Sequence, residues 1–135
     1  MAAITHKRVL LAGFVPGVAA PASFYERFGS GENVKTELIA DHARITRAGI
    51  TPVVFHLDPS QQEKHLKDFE AHLQEGKYDA IIIGAGVRVH PDYTVLFETL
   101  VNLCHTVAPN IPLLFNDGPS GSSKALERVF KVPFE

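Results

Sequence analysis

An α/β protein built on a four-stranded parallel sheet is the fold class this sequence predicts, and three observations predict it. Four short apolar runs, residues 9–14, 51–56, 80–83 and 111–115, are continuous rather than alternating. Unbroken runs of this length suit strands buried on both faces, as parallel strands are. The segments between them carry helical spacing, so strands and helices alternate in units whose crossovers are right-handed. The 135 residues suit one domain, residues 1–135.

The first run follows Lys7 and Arg8 and stops before Pro16-Gly17. It is short and has no small-residue cleavage site after it, so it reads as a strand rather than a leader. The next connection, residues 15–30, is long and rich in Pro, Gly, Ala and Ser, with the aromatics Phe24, Tyr25 and Phe28. Such a stretch is either a functional loop or lid, or a short helix over the sheet edge. A helix is expected over about 32–48, with Val34, Leu38, Ile45 and Ala48 on one side and Gly49 ending it. After the second strand, Asp58-Pro59-Ser60 opens a helix. Asp58 can cap the free N–H groups and Pro59 suits the first turn. Leu66, Phe69 and Leu73 form its apolar stripe, and Gly76 stops it.

The third strand exits into Gly84-Ala-Gly-Val-Arg-Val-His-Pro-Asp92, and a helix follows over 93–107. Leu96, Leu100, Leu103, Cys104 and Val107 share one face, and Phe97 and Val101 widen it beyond one sheet contact. So wide an apolar arc on a small domain is expected to pack against a second copy, giving a homodimer through this helix. The last strand leads through Asn116-Asp-Gly-Pro119 to a helix over about 120–130. The strand order this pattern implies is 2-1-3-4, with helices on both faces in three layers. That is the Rossmann-like, flavodoxin-like arrangement without its fifth strand. In such sheets ligands bind beyond the carboxyl ends of the strands, where strand order reverses. The site is therefore expected between the exits of strands one and three, with strand four alongside.

Composition narrows the function. Apolar residues make up 45% and charged residues 21%, the balance of a globular chain, and the net charge is −2. No basic excess exists to neutralise phosphates, so nucleic-acid binding is not expected. No run approaches the ~20 apolar residues of a membrane span. The single cysteine, Cys104, excludes an internal disulfide and any zinc site with two Cys ligands, and fits a reducing, cytoplasmic setting. Neither metal nor cofactor is expected. Gly84-x-Gly86 is only part of a dinucleotide fingerprint and follows the third strand rather than the first. The loop after strand one lacks the Lys-Ser/Thr pair of a P-loop.

The strand exits supply the candidate residues. Arg88 is either a surface arginine paired with a carboxylate such as Asp92 or Glu98, or a fork for a substrate carbonyl, carboxylate or phosphate. His90, at a helix start, is either a polar cap or a neutral imidazole able to act as a base. Asp117 lies in plain turn chemistry or offers a carboxylate at the site's edge. Glu98, about two turns into its helix, reaches the rim or a dimer seam. Gly84 permits a tight exit from a buried strand, whereas Gly86 is open to the alternative that its N–H faces a ligand anion. Phe14, Asn116 and Tyr25 complete the expected substrate contacts. Cys104 reads as core, because it lies far from the helix start that would lower a thiol pKa.

The residues Tyr78-Asp-Ala-Ile-Ile-Ile-Gly-Ala-Gly-Val-Arg88, then Leu96-Phe97-Glu98, Val101-Asn102, His105, Ala108-Pro109 and Phe115-Asn116, resemble a family of small, largely uncharacterised Rossmann-like proteins. Arg88, Glu98, Asn102, His105 and Asn116 are the polar positions matching its pattern, whereas His90 and Asp117 fall outside it. More loosely, the chain looks like cofactor-free cyclases that accompany fungal polyketide synthases. That likeness implies pyrone-ring closure on a polyketide chain. The expected function is thus a cofactor-independent enzyme acting on a small oxygenated acyl substrate by acid–base catalysis, with lactonising cyclisation as its concrete form. His90 or Asp117 would be the base, and Arg88 with the Gly84–Gly86 backbone would meet the oxyanion. Two alternatives stand beside it: a nucleotide- or anion-binding regulatory module, and a homodimeric scaffold without catalysis.

Overall fold

Val9, Leu10, Ile81 and Ile83 lose all contact with solvent, which places their strands at the centre of the molecule. The computed structural model describes residues 6–14, 22–131 and 133–134, with the side chains of residues 23 and 24 outside the described set. Strands β1 (Lys7–Phe14), β2 (Ile50–Leu57), β3 (Ala80–Ile83) and β4 (Leu113–Phe115) form one parallel sheet in the order β2-β1-β3-β4. Helices α1 (Ala22–Phe28), α2 (Gly31–Arg47), α3 (Gln62–Glu75), α4 (Thr94–Val107) and α5 (Ser122–Phe130) connect and cover it.

Alternation along β1 divides the core. Leu10, Ala12 and Phe14 pack with Phe69 and Leu73 of α3 and Leu96 and Leu100 of α4. Val9 and Leu11 point the other way, onto Ile45 of α2 and Ala125 and Leu126 of α5. Full burial of each large side chain contributes roughly 1.5–3 kcal/mol, so both faces of the sheet hold their helices. This is the three-layer α/β architecture the apolar runs imply.

The helix boundaries follow local chemistry. Ser30 caps α2, its Oγ accepting the Asn33 N–H at 3.1 Å. Asp58 accepts from the Ser60 N–H at 3.0 Å and the Ser60 hydroxyl at 2.7 Å. It therefore caps a single 3-10 turn, Pro59–Gln61, and α3 begins after that turn. Gly76 closes α3 in the left-handed region at φ 66, which glycine adopts without strain.

Three expectations change in detail. The last strand is shorter than 111–115, because Pro112 has no N–H to give the ladder, although its carbonyl accepts from Ile81 at 2.9 Å. Of the long connection, residues 22–28 form helix α1, in line with the short-helix alternative, and the loop or lid alternative falls in part on residues 15–21, outside the described set. The wide arc of α4 is largely taken up by the core. Leu96, Leu100 and Cys104 are buried, Phe97 packs on Phe115 at 5.7 Å between ring centres, and Val101, Leu103 and Val107 lie partly buried on the same cluster. Val95 alone among the large apolar residues of α4 stands well exposed, at 67%. No helix among the described residues is long and apolar enough to cross a membrane.

Candidate functional site at the carboxyl edge of the sheet

The register of the sheet builds the site. Gly13 of β1 pairs with His56 of β2, and in a parallel ladder paired residues face the same side. On the other flank the Gly84 N–H donates to the Ala12 carbonyl at 2.8 Å. A Cβ on Gly84 would lie 3.7 Å from the Gly13 Cα and 4.0 Å from the Asn116 amide nitrogen. One transverse row therefore runs His56, Gly13, Gly84, Asn116 across the carboxyl edge, with two bare positions in its middle. On β1, Leu11 faces α2, so Gly13 does too. The missing side chains open a trough beneath α2.

The trough has two adjoining lobes, about 60 and 80 Å³ in volume. Gly13, Phe14, Leu38, Gly84 and Asn116 line both. The first lobe extends to Val34, Gly86 and Pro119, the second to His42, His56 and Ser122. Its place, between the exits of the two central strands where chain order reverses, is where open α/β sheets bind ligands. Mostly apolar walls with a few polar groups are the usual make-up of such sites.

A chain of hydrogen bonds holds the far wall. Buried Asn116 accepts from the Ala85 N–H at 2.8 Å through Oδ1 and donates from Nδ2 to the Ser122 Oγ at 3.0 Å. Beside it, buried Asp41 of α2 accepts from the Ser123 N–H at 3.0 Å and the Ser123 hydroxyl at 2.6 Å. The Asp41 carboxylate thereby satisfies the Ser123 N–H, a backbone donor at the start of α5 that would otherwise be orphaned. Gly121 precedes that start, and a Cβ there would collide with the Asp117 carboxylate. At the outer lip, Phe28 of α1 presses on Gly118, its ring 3.1 Å from where a Cβ would stand.

Of the residues singled out from the sequence, Phe14, Gly84, Gly86 and Asn116 meet at this trough. Arg88, His90, Glu98, Asp117 and Tyr25 are not among the described residues lining it. The exposed Arg88 guanidinium donates to the Asn116 carbonyl at 2.6 Å, tying the exit of β3 to that of β4. His90 is a cap: its Nδ1 accepts the Asp92 N–H at 3.1 Å, ahead of the 3-10 turn Pro91–Tyr93. The neutral ring then carries its proton on Nε2. His90 lies beside Tyr93, which meets Phe14 edge-on at 4.8 Å, so it belongs to the α4 side of the sheet. Glu98 is exposed on α4 and Asp117 exposed after β4. Tyr25 lies half-buried on α1.

Two imidazoles outside the expected set of site residues line the trough. His42 is half-buried on α2, one turn beyond Leu38, and His56 is exposed at the end of β2. Burial holds the His42 imidazole below its usual value; neighbouring Asp41 opposes this, and His56 adds to it. The signal lay in the helical stripe: Val34, Leu38 and Ile45 define the sheet-facing side, and Asp41 and His42 interrupt it with polar groups. Among the described residues no group of three or more His, Cys, Asp or Glu is placed to hold a metal ion.

Fold and site together define an α/β protein of flavodoxin-like strand order with a small, mostly apolar pocket at the carboxyl edge of its central strands. No protein-family model, curated protein or solved structure matches this chain. The likeness drawn from residues 78–116 therefore extends to the fold alone.

Proposed function

We propose that the protein is a cofactor-independent enzyme acting by acid–base catalysis on a small oxygenated acyl substrate, with lactone-forming ring closure of a polyketide-type chain as its reaction. The observation that carries this reading is the trough itself. It sets imidazoles, His42 and His56, at one end and an amide and hydroxyl, Asn116 and Ser122, at the other, with apolar walls between. His42 takes the place assigned above to His90 or Asp117. Its lowered pKa leaves it neutral at neutral pH, the form that accepts a proton.

In this reaction His42 takes the proton of an enolic hydroxyl, and the oxygen bonds to the acyl carbonyl carbon. The bond from that carbon to its leaving oxygen or sulfur breaks, and the imidazolium returns its proton to the leaving group. Charge gathered on the carbonyl oxygen meets the second N–H of Asn116, beyond the one given to Ser122, and the Ser122 hydroxyl. Arg88 acts at one remove, by fixing the Asn116 backbone. The substrate's two reacting ends belong to one molecule, so holding it folded supplies much of the acceleration.

The test is lactone release from a triketide thioester, followed by chromatography against the uncatalysed reaction. Wild-type protein is expected to exceed that background, and His42→Gln to lose about 10²–10⁴-fold of the rate. Turnover no faster than background removes the proposal. So does thermal stabilisation by nucleotides without any lactone formed, which would mark an anion-binding module instead.

A further inference from the structure

We infer that Gly13 is a specificity-determining residue, bare so that a single planar ring with oxygen functions at opposite edges can lie across the sheet. This deepens the function proposed above and rests on reading the trough as the substrate site. The backbone gives neither central glycine a reason to be glycine. Gly84 sits at φ −67 and ψ 151, an extended conformation open to any residue. Gly13 lies inside β1, and its φ is not among the positive ones. Among the described residues a Cβ on Gly13 would meet nothing within 4 Å, and one on Gly84 would come no closer than 3.4 Å to the Ala12 carbonyl. Glycine inside a strand weakens it, so alanine at position 13 would fit and would hold the strand better. What glycine provides there is space.

The shape of that space selects its occupant. Its floor is the peptide backbone of two adjacent strands, and Leu38 lines it from α2. The lobes of about 60 and 80 Å³ together approach the ~150 Å³ of a cavity known to take one benzene ring. The polar groups stand at the two ends of the row, His56 with His42 on one flank and Asn116 with Ser122 on the other. A flat ring fills the floor and presents an oxygen to each flank, whereas a puckered or branched skeleton meets the bare backbone badly.

The experiment titrates triacetic acid lactone, a planar hydroxypyrone, and δ-valerolactone, a saturated ring, into wild-type, Gly13→Ala and Gly13→Val proteins by NMR. Thermal melting of each variant runs in parallel. The pyrone is expected to bind wild type more tightly than the saturated lactone and to shift amides around Gly84 and Asn116. Gly13→Ala is expected to weaken it about tenfold or more, as one extra methyl in an apolar pocket does, and Gly13→Val to abolish it. Gly13→Ala should melt at or above the wild-type temperature, separating loss of space from loss of fold. Equal pyrone affinity in wild type and Gly13→Ala overturns the inference, as does preference for the saturated ring. If His42→Gln still removes turnover in either case, the catalytic proposal survives alone. Pyrone binding lost on Gly13→Ala, with no turnover in wild type, supports the ring site and overturns the catalytic proposal.

Discussion

Replacing Asp41 with alanine removes the carboxylate that joins α2 to the start of α5. Asp41 is 2% exposed and accepts two bonds from Ser123, at 3.0 and 2.6 Å. A hydrogen bond to a charged group nets ~1.5–3 kcal/mol, and losing an acceptor at a helix start costs ~0.5–2 kcal/mol. The two bonds share one side chain, so they do not add in full, and release of a buried charge offsets part of the loss. The expected destabilisation is about 3 kcal/mol, or about 9 °C in melting temperature for a chain of this size. Urea unfolding of Asp41→Ala, Ser123→Ala and the double variant measures it. A coupling of about 1 kcal/mol or more between the two sites is expected. A loss below about 0.5 kcal/mol for Asp41→Ala, the scale of an ordinary surface substitution, would refute the reasoning.

The imidazole of His42, held below 6.5, makes stability depend on pH. Its unfolded form binds the proton first as pH falls, so its contribution is complete above 6.5 and is lost as pH drops through the lowered folded value. Urea midpoints should fall with pH in that window and fall less in His42→Gln; equal slopes would contradict this. Burial pushes the Cys104 thiol up to about 12. Iodoacetamide should therefore label the folded chain at least about a hundredfold more slowly than the urea-unfolded one at neutral pH, and similar rates would contradict its burial. The homodimer expected through α4 would use Phe97 and Val101, which widen its apolar face and stay only partly buried. Val101→Lys is then expected to lower the sedimentation coefficient to that of a monomer, and an unchanged value would exclude this interface.

Sheet order was readable because the apolar runs are long enough to be strands and too continuous to have a wet face. Residues 80–83 are buried at every position, as such a run requires. Pro112 could have shortened the last strand in advance, since a residue without an N–H ends a ladder. Phe14, Gly84, Gly86 and Asn116 were found by position alone, because a strand exit is fixed once the strand is. His42 was hidden by a different logic. It reaches the trough from a helix that crosses above the sheet, and only the register of α2 over β2 brings it there. Arg88 and His90 lie two residues apart, but the 3-10 turns Ala85–Val87 and Pro91–Tyr93 redirect the chain on either side of them. One then bonds to the exit of β4 and the other caps toward α4, a divergence that spacing does not reveal.

The bond between Asp41 and Ser123 spans 82 positions of the chain. Asn116 and Ser122, which close the trough opposite the imidazoles, come from the same late stretch. During synthesis the first three strands and their helices can meet while this stretch has yet to leave the ribosome. The nascent protein thus acquires its scaffold before its recognition surface. A product truncated before β4 would keep the two bare glycines and lack both Asn116 and Ser122.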